Sequence, residues 1–455
     1  MNYIDFFLFA EEHIGSLIFF SIVTIICYFF LYRKYIQSIF DPFFLIVSIA
    51  ALSSSTVFFL YFNNAISDEL FYRFIGTELA FLAGFFLLRP IKFNDYLKNR
   101  VVKVSTIFSE NFSNILFYLS SSLHVFFQLL TYVVVGIPLL LDSRMSTFAG
   151  GSGFGFVGRI LEIVSVVGTF ILLYRMFYYT GISRIGKFYN YLYLFLVLIF
   201  LLLSGNKTNL IFLVYYLFFL NLYMLKIKGS SVIEIVKKIS KFQKVLILSS
   251  IPLIFAVMYI QLVNSGSESE NSPLLALGQR IISFGDIYYM TFPDNVIRIM
   301  NNDSGFLQLF KDPLGMLRIV PWEKLPLDCG IEIYQYHYPN GTLSGPNARY
   351  NYFAILYFNM IGQIIYCFVL GLITSFMRNT FFKLLPNNII FGAIYTLFGI
   401  NLIYIYQDQA FTLARFFNII TIVPFLIIFA LLIQYILEFN PLKDLIISKK
   451  NIQKL

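Results

Sequence analysis

Residues 40–62 read FDPFFLIVSIAALSSSTVFFLYF, and from Pro42 to Phe62 not one Asp, Glu, Lys or Arg interrupts the run. An α-helix rises 1.5 Å per residue, so a segment of this length matches the roughly 30 Å of hydrocarbon in a bilayer. The rest of the chain has the same character. Of 455 residues, 58% are hydrophobic, 19% aromatic and only 13% charged, with 55 Phe, 32 Tyr and a mean hydropathy of +0.77. A soluble domain carries about 25% charged residues, so this composition cannot cover a water-facing surface and specifies an integral membrane protein.

Apolar runs read as eleven candidate spans, near residues 14–31, 42–62, 70–88, 115–141, 160–179, 189–203, 209–225, 245–263, 352–376, 389–406 and 411–437. Connectors on one side, with Arg175 at the adjoining end of the fifth span and the tail from 438 to 455, hold 22 of the 33 Lys and Arg. Six of the remaining eleven fall in one long loop, where positive charge has little say in orientation. The short connectors therefore place the N-terminus outside and the C-terminus in the cytoplasm, in agreement with an odd number of spans. This placement also explains the net charge of +9 without nucleic acid. The first residues, MNYIDFFLFAEEH, lack the basic region of a cleavable signal peptide. Cys27 and Cys367 lie in apolar runs and Cys329 stands apart, so no disulfide framework is expected.

The chain divides into spans over 1–263, a hydrophilic segment of 88 residues over 264–351, further spans over 352–437, and a basic tail over 438–455. The 264–351 segment is broken by Pro313, Pro321, Pro326, Pro339 and Pro346, and its apolar stretches predict short helices along the membrane surface. No phosphate-binding glycine loop, dinucleotide fingerprint or HExxH motif occurs. The three His, at 13, 124 and 337, are too far apart to read as a metal cluster, and no cofactor is expected.

The chemistry then rests on cations outside the cytoplasm, because a charge near the membrane core needs a partner and usually a purpose. Arg144 opens RMSTFAGGSGFGFVGR (144–159), whose five Gly would let a backbone approach a phosphate or sugar, or simply turn; Arg159 closes it. Arg280 lies in GQRIISFGDIYYM (278–290) with Asp286 and Tyr289 following. It reads either as a structural ion pair or as a phosphate contact, for which the planar guanidinium suits better than an ammonium. Arg349 lies in SGPNARYNYF (344–353) at the mouth of the next span, with Asn347 and Tyr350 as sugar-type hydrogen-bonding neighbours. His337, in YQYHYPNGT (334–342), reads as an exposed loop histidine or as a general base, in competition with Asp286 and the other loop carboxylates. Lys207 caps the hairpin SGNKTN and reads as a substrate or head-group contact. Glu78 with Arg73, and Glu162 with Arg159, read as ion pairs within the bundle.

The stretch 40–62, the hairpin SGNKTNLIFLVYYLFF (204–219), the long loop ending in GPNARYNYF and the span NMIGQIIYCFVLGLI (359–373) resemble the O-antigen polymerase family, the Wzy-type polymerases of oligosaccharide repeat units. The resemblance runs over nearly the whole chain in architecture and rests on loose motifs. Some members carry an Arg followed, after ten intervening residues, by a Gly in two outer loops. Arg144 and Gly155 match that spacing, whereas Arg280 and Arg349 have no such Gly. The resemblance implies an all-α, GT-C-like bundle in the bacterial inner membrane. It also implies polymerisation of repeat units linked to undecaprenyl pyrophosphate, membrane lipids as surroundings, and a chain-length regulator as a partner protein. The catalytic set expected is Arg280, Arg349, Asp286 and His337, with Arg144, Arg159, Lys207, Tyr289, Asn347 and Tyr350 binding substrate. An inverting transfer follows from a single displacement at the anomeric carbon. Two alternatives stay open: an O-antigen ligase delivering the glycan to a lipid A core, and a lipid-linked oligosaccharide flippase.

Overall fold

The computed structural model describes residues 1–36, 38–39, 41–90, 108–141, 154–205, 207–228, 252, 283–300, 302, 304–340, 345–381 and 388–438. Arg144, Arg280 and the span read over 245–263 lie outside these residues, as does the side chain of Lys207. Every regular element among the described residues is helical.

A short helix α1 (Tyr3–Glu12) leads into the long helices α2 (Ile14–Tyr32), α3 (Pro42–Phe62), α4 (Asp68–Phe86), α5 (Glu110–Val134), α6 (Phe154–Phe177), α7 (Arg184–Leu203) and α8 (Lys207–Lys228). Small helices α9 (Asp286–Thr291), α10 (Gly305–Met316) and α11 (Cys329–His337) follow, then α12 (Tyr350–Tyr357), α13 (Met360–Phe376), α14 (Ile389–Asn401), α15 (Tyr404–Gln407) and α16 (Gln409–Glu438). Eight described helices are long and apolar enough to cross a membrane, so the chain is a multi-pass α-helical membrane protein. Helix α4 falls outside that set because Asp68, Glu69, Arg73 and Glu78 lie within its 19 residues.

Local chemistry sets the helix starts. The Asp41 carboxylate accepts from the Phe43 N–H at 3.0 Å with Pro42 at the first helical position, which starts α3. Ser109 caps α5 and Ser183 caps α7 in the same way. Packing between helices depends on small residues, since lipid supplies no hydrophobic drive for helices to associate. Helices α4 and α13 run side by side in the same direction. A Cβ at Gly84 would lie 2.0 Å from the Phe368 carbonyl oxygen, and one at Gly371 2.1 Å from that of Phe81. Only glycine permits backbones to approach so closely.

The continuous span read over 352–376 is two helices. Phe358 is extended, and Asn359 caps α13 by accepting from the Gly362 N–H at 2.8 Å. Helix α12 is re-entrant. Its first residue, Tyr350, stacks on Phe81 with ring centroids 4.6 Å apart, whereas the Ile355 carbonyl accepts from Arg73 at 2.9 Å. Phe81 and Arg73 lie about 20 Å and about 7 Å along α4 from its start at Asp68, at 1.5 Å per residue. Helix α12 therefore starts deep in the bundle and climbs toward the loop face, the end that carries α10 and α11, where α13 begins.

The chain before it goes deep as well. Gly285 lies flush against Thr56, where a Cβ would sit 2.0 Å from the hydroxyl oxygen, and Tyr288 on α9 packs against Phe74 at 5.4 Å. Part of the 264–351 segment thus inserts between spans. Irregular backbone at such depth is tolerated where protein surrounds it.

Candidate functional site

Arg349 is the N-cap residue of α12, and its backbone is extended (φ −55°, ψ 148°) where the chain turns at the deep end of the re-entrant helix. The residue is 2% exposed. Its Nη2 donates to the Phe284 carbonyl at 2.8 Å, while Nε and Nη1 are buried without a partner among the described residues. A guanidinium has five N–H donors in a planar fork, and burying donors unpaired costs about 1–3 kcal/mol each. The start of α12 faces the same region, and its free N–H groups and dipole add positive potential beside the guanidinium. The tip is therefore built for an anion.

Glu78 lies beside this tip, 6% exposed. Its carboxylate accepts from the Tyr406 hydroxyl at 3.0 Å and from Ser54 at 3.3 Å, and Tyr28 hydrogen-bonds Ser54 at 2.7 Å. The Tyr350 hydroxyl faces the same carboxylate, without a well-aligned hydrogen bond of its own. Tyr288 feels the charges of both Glu78 and Arg349, and donates to Asn351 at 3.0 Å. Asn351 in turn donates to Thr77 at 3.1 Å. Hydroxyls from α2, α3, α12 and α15 thus gather around one carboxylate on α4, and the α12 hydroxyl is that of the residue next to Arg349.

The ion pairs within the helices differ from those the sequence spacing predicts. Arg73 pairs with Glu69 at 3.5 Å and reaches Gln363 and the Ile355 carbonyl, leaving Glu78 to the tyrosines. Glu162 pairs with Arg415 at 2.8 Å and accepts from Asn418 at 3.3 Å. Arg159 instead holds the loop helix α10, through Asp312 at 3.5 Å and Met316, with Trp322 5.9 Å from its guanidinium carbon. Lys311 and Asp328 pair beside it. Burial pushes the Asp312 carboxyl up, against the pull of Lys311 and Arg159. Asp408, at the turn between α15 and α16, is pushed up to about 7, chiefly by burial, although it accepts from the Phe411 N–H at 2.9 Å. This second cluster joins α6, α10 and α16 at the loop face.

The other expected residues fall elsewhere. His337 Nε2 donates to the Met290 carbonyl at 2.8 Å, which docks α11 on α9, and burial lowers its proton affinity. Its charged neighbours are Asp5, Asp294 and the terminal amine. Tyr289 is buried and stacks on Phe6 at 4.0 Å. Asp286 accepts from the Ile287 N–H at 2.9 Å, and Asn347 is exposed. Of the expected set, Arg349 and Tyr350 meet in one place, and Arg159 stands at the mouth. Sequence reasoning missed Ser54, Tyr28, Tyr288 and Tyr406 and gave Glu78 the wrong partner. The available signal was SSST at 53–56 and an acid within a span, both costly in lipid unless they serve each other.

The fold and the tip define a polytopic helical membrane protein with a re-entrant helix that presents a buried arginine. The chain matches no protein-family model, no curated protein and no solved structure.

Proposed function

We propose that this protein polymerises oligosaccharide repeat units carried on undecaprenyl pyrophosphate, by inverting glycosyl transfer at the extracytoplasmic face of a bacterial inner membrane. The observation that carries the reading is the Arg349 guanidinium, buried at the tip of α12 with two unpartnered nitrogens. A pyrophosphate leaving group gathers negative charge as the glycosidic bond breaks, and a fixed guanidinium beside a helix N-terminus stabilises that charge with little reorganisation. The α9 segment covers the tip, so substrate entry requires it to move away from Arg349 and release the Phe284 carbonyl. Arg159 serves substrate at the mouth, and Arg144, Arg280 and Lys207 are proposed to complete the phosphate and sugar contacts. The GT-C-like arrangement, the eleven spans and the partnership with a chain-length regulator belong to this same reading. The donor arrives already activated, so no nucleotide is needed.

The test is to delete the gene in its host, complement with wild type or Arg349→Ala, and separate the surface glycan on a gel. Deletion should collapse the ladder to core plus one repeat, and Arg349→Ala should fail to restore it. A full ladder in the deletion strain, or full restoration by Arg349→Ala, would overturn the reading. Loss of all core-attached glycan would favour the ligase or the flippase. A half-helix whose N-terminus ends deep in the bundle also suits transport of an anionic head group, so the flippase keeps one structural argument of its own.

A further inference from the structure

Every group in a glycosyl transfer must have somewhere for the acceptor's proton to go, and the loop candidates are poorly placed. His337 lies at the contact of α11 with α9, beside Asp5, Asp294 and the terminal amine rather than Arg349, and Asp286 accepts from its own helix. Resting on the function proposed above, we propose that Glu78 is the proton acceptor of the reaction and that the Tyr350 hydroxyl relays the proton to it.

Four observations support this. Glu78 accepts from Tyr406 at 3.0 Å, the Tyr406 ring lies 4.8 Å from that of Tyr350, and Tyr350, the residue next to Arg349 in the chain, faces the carboxylate. The Tyr350 hydroxyl is buried toward Glu78 without a well-aligned hydrogen bond, and its ring is held between Phe81 at 4.6 Å and Tyr406 at 4.8 Å. A ring so fixed with an unused hydroxyl is placed to accept on one side and donate on the other. The Tyr406 and Ser54 hydroxyls hold the Glu78 oxygen at 3.0 and 3.3 Å, and so aim the carboxylate. Finally, Glu78 and Arg349 are of opposite charge in one compartment; when a bound pyrophosphate takes up the guanidinium, a proton on Glu78 restores the balance.

The step balances. The acceptor oxygen bonds to the anomeric carbon while the bond from that carbon to the pyrophosphate oxygen breaks, and that electron pair leaves with the pyrophosphate. The acceptor's proton passes to the Tyr350 oxygen as the Tyr350 proton passes to Glu78. Glu78 then returns the proton to solvent by the same route after the product departs.

Tyr350→Phe is the deciding variant, because it removes only the hydroxyl that faces Glu78 and keeps the packed ring. It is compared with Glu78→Gln in membranes of the deletion strain, using lipid-linked repeat units extracted from that strain as substrate. Both variants should lower kcat by about 100-fold or more, the usual range for losing general base catalysis, with KM within about twofold of wild type. Glycan in the complemented strains should stay at one repeat, at normal membrane abundance of the protein. A wild-type kcat for Tyr350→Phe overturns the proposal, as does a wild-type kcat for Glu78→Gln. So does a raised KM with unchanged kcat, which would make these residues substrate contacts only. If Glu78→Gln does not accumulate, Tyr350→Phe decides alone. An unshortened ladder in the deletion strain would fail the polymerase itself, whereas a collapsed ladder restored by Tyr350→Phe would fail only the proton route.

Discussion

Asp408 sits at a turn where its carboxylate does two jobs, capping α16 through the Phe411 N–H at 2.9 Å and sharing the loop face with Asp328 and Asp312. Burial pushes it up to about 7, above its value of 3.8 in an unfolded chain. A raised folded-state value means that the stability it contributes is fully present below pH about 4 and is lost as pH rises through about 7, because charging it costs the folded state more than the unfolded one. Asn keeps the cap, since its carbonyl accepts the same N–H. Asp408→Asn should therefore raise the Tm of detergent-solubilised protein at pH 8 and leave it nearly unchanged at pH 4, as read by thermal denaturation at the two pH values. An equal Tm shift at both would show that the carboxylate is not charged at a cost. At this scale the sequence was only partly legible. Arg349 stood out because a guanidinium beside a span needs a reason. Glu78 was assigned to Arg73 five residues before it, because sequence spacing ranks partners along one helix and cannot see hydroxyls arriving from four others.

The pairing of α4 with α13 is decided by two glycines rather than by any apolar stripe. Gly371 faces the Phe81 carbonyl oxygen with room for no Cβ, at 2.1 Å. Gly371→Val should push the two helices apart and displace α12, which is held to α4 through Arg73 and the Phe81 ring. The expected result is a severe loss of folded protein in the membrane, while Ile365→Val on the exposed side of the same helix is neutral. Normal accumulation and activity of Gly371→Val would refute the close approach. Helices such as α3 are readable because one uninterrupted apolar run is long enough to cross the bilayer. The break at Phe358 was not, because apolar residues continue on both sides and its one local mark is the cap Asn359. The insertion of the 283–291 segment was also hidden, since its bonds join residues 65 and 63 positions apart, Arg349 with Phe284 and Tyr288 with Asn351.

Across the whole molecule, the proposed chemistry and the distribution of charge make one joint demand. Helix α12 opens toward the loop face, which carries α10, α11 and the Arg159 and Arg415 cluster, while the sequence alone assigns 22 of the 33 Lys and Arg to the opposite side. If positive charge holds those connectors in the cytoplasm, the loop face looks outward, which is where a lipid-linked repeat unit is found once it has been flipped. Reversal would put Arg349 in the compartment where nucleotide-activated sugars are available, and a site without a nucleotide cradle would have no advantage there. A fusion that ends in green fluorescent protein after Glu438 should therefore fluoresce. A cysteine replacing Lys324, which lies outside the spans, should react in whole cells with a thiol reagent that does not cross the inner membrane, while wild-type Cys329 and Cys367, both buried, give only background. A dark fusion together with an unreactive Lys324→Cys would reverse the protein in the membrane, and with it both the polymerase reading and the proton route from Tyr350 to Glu78.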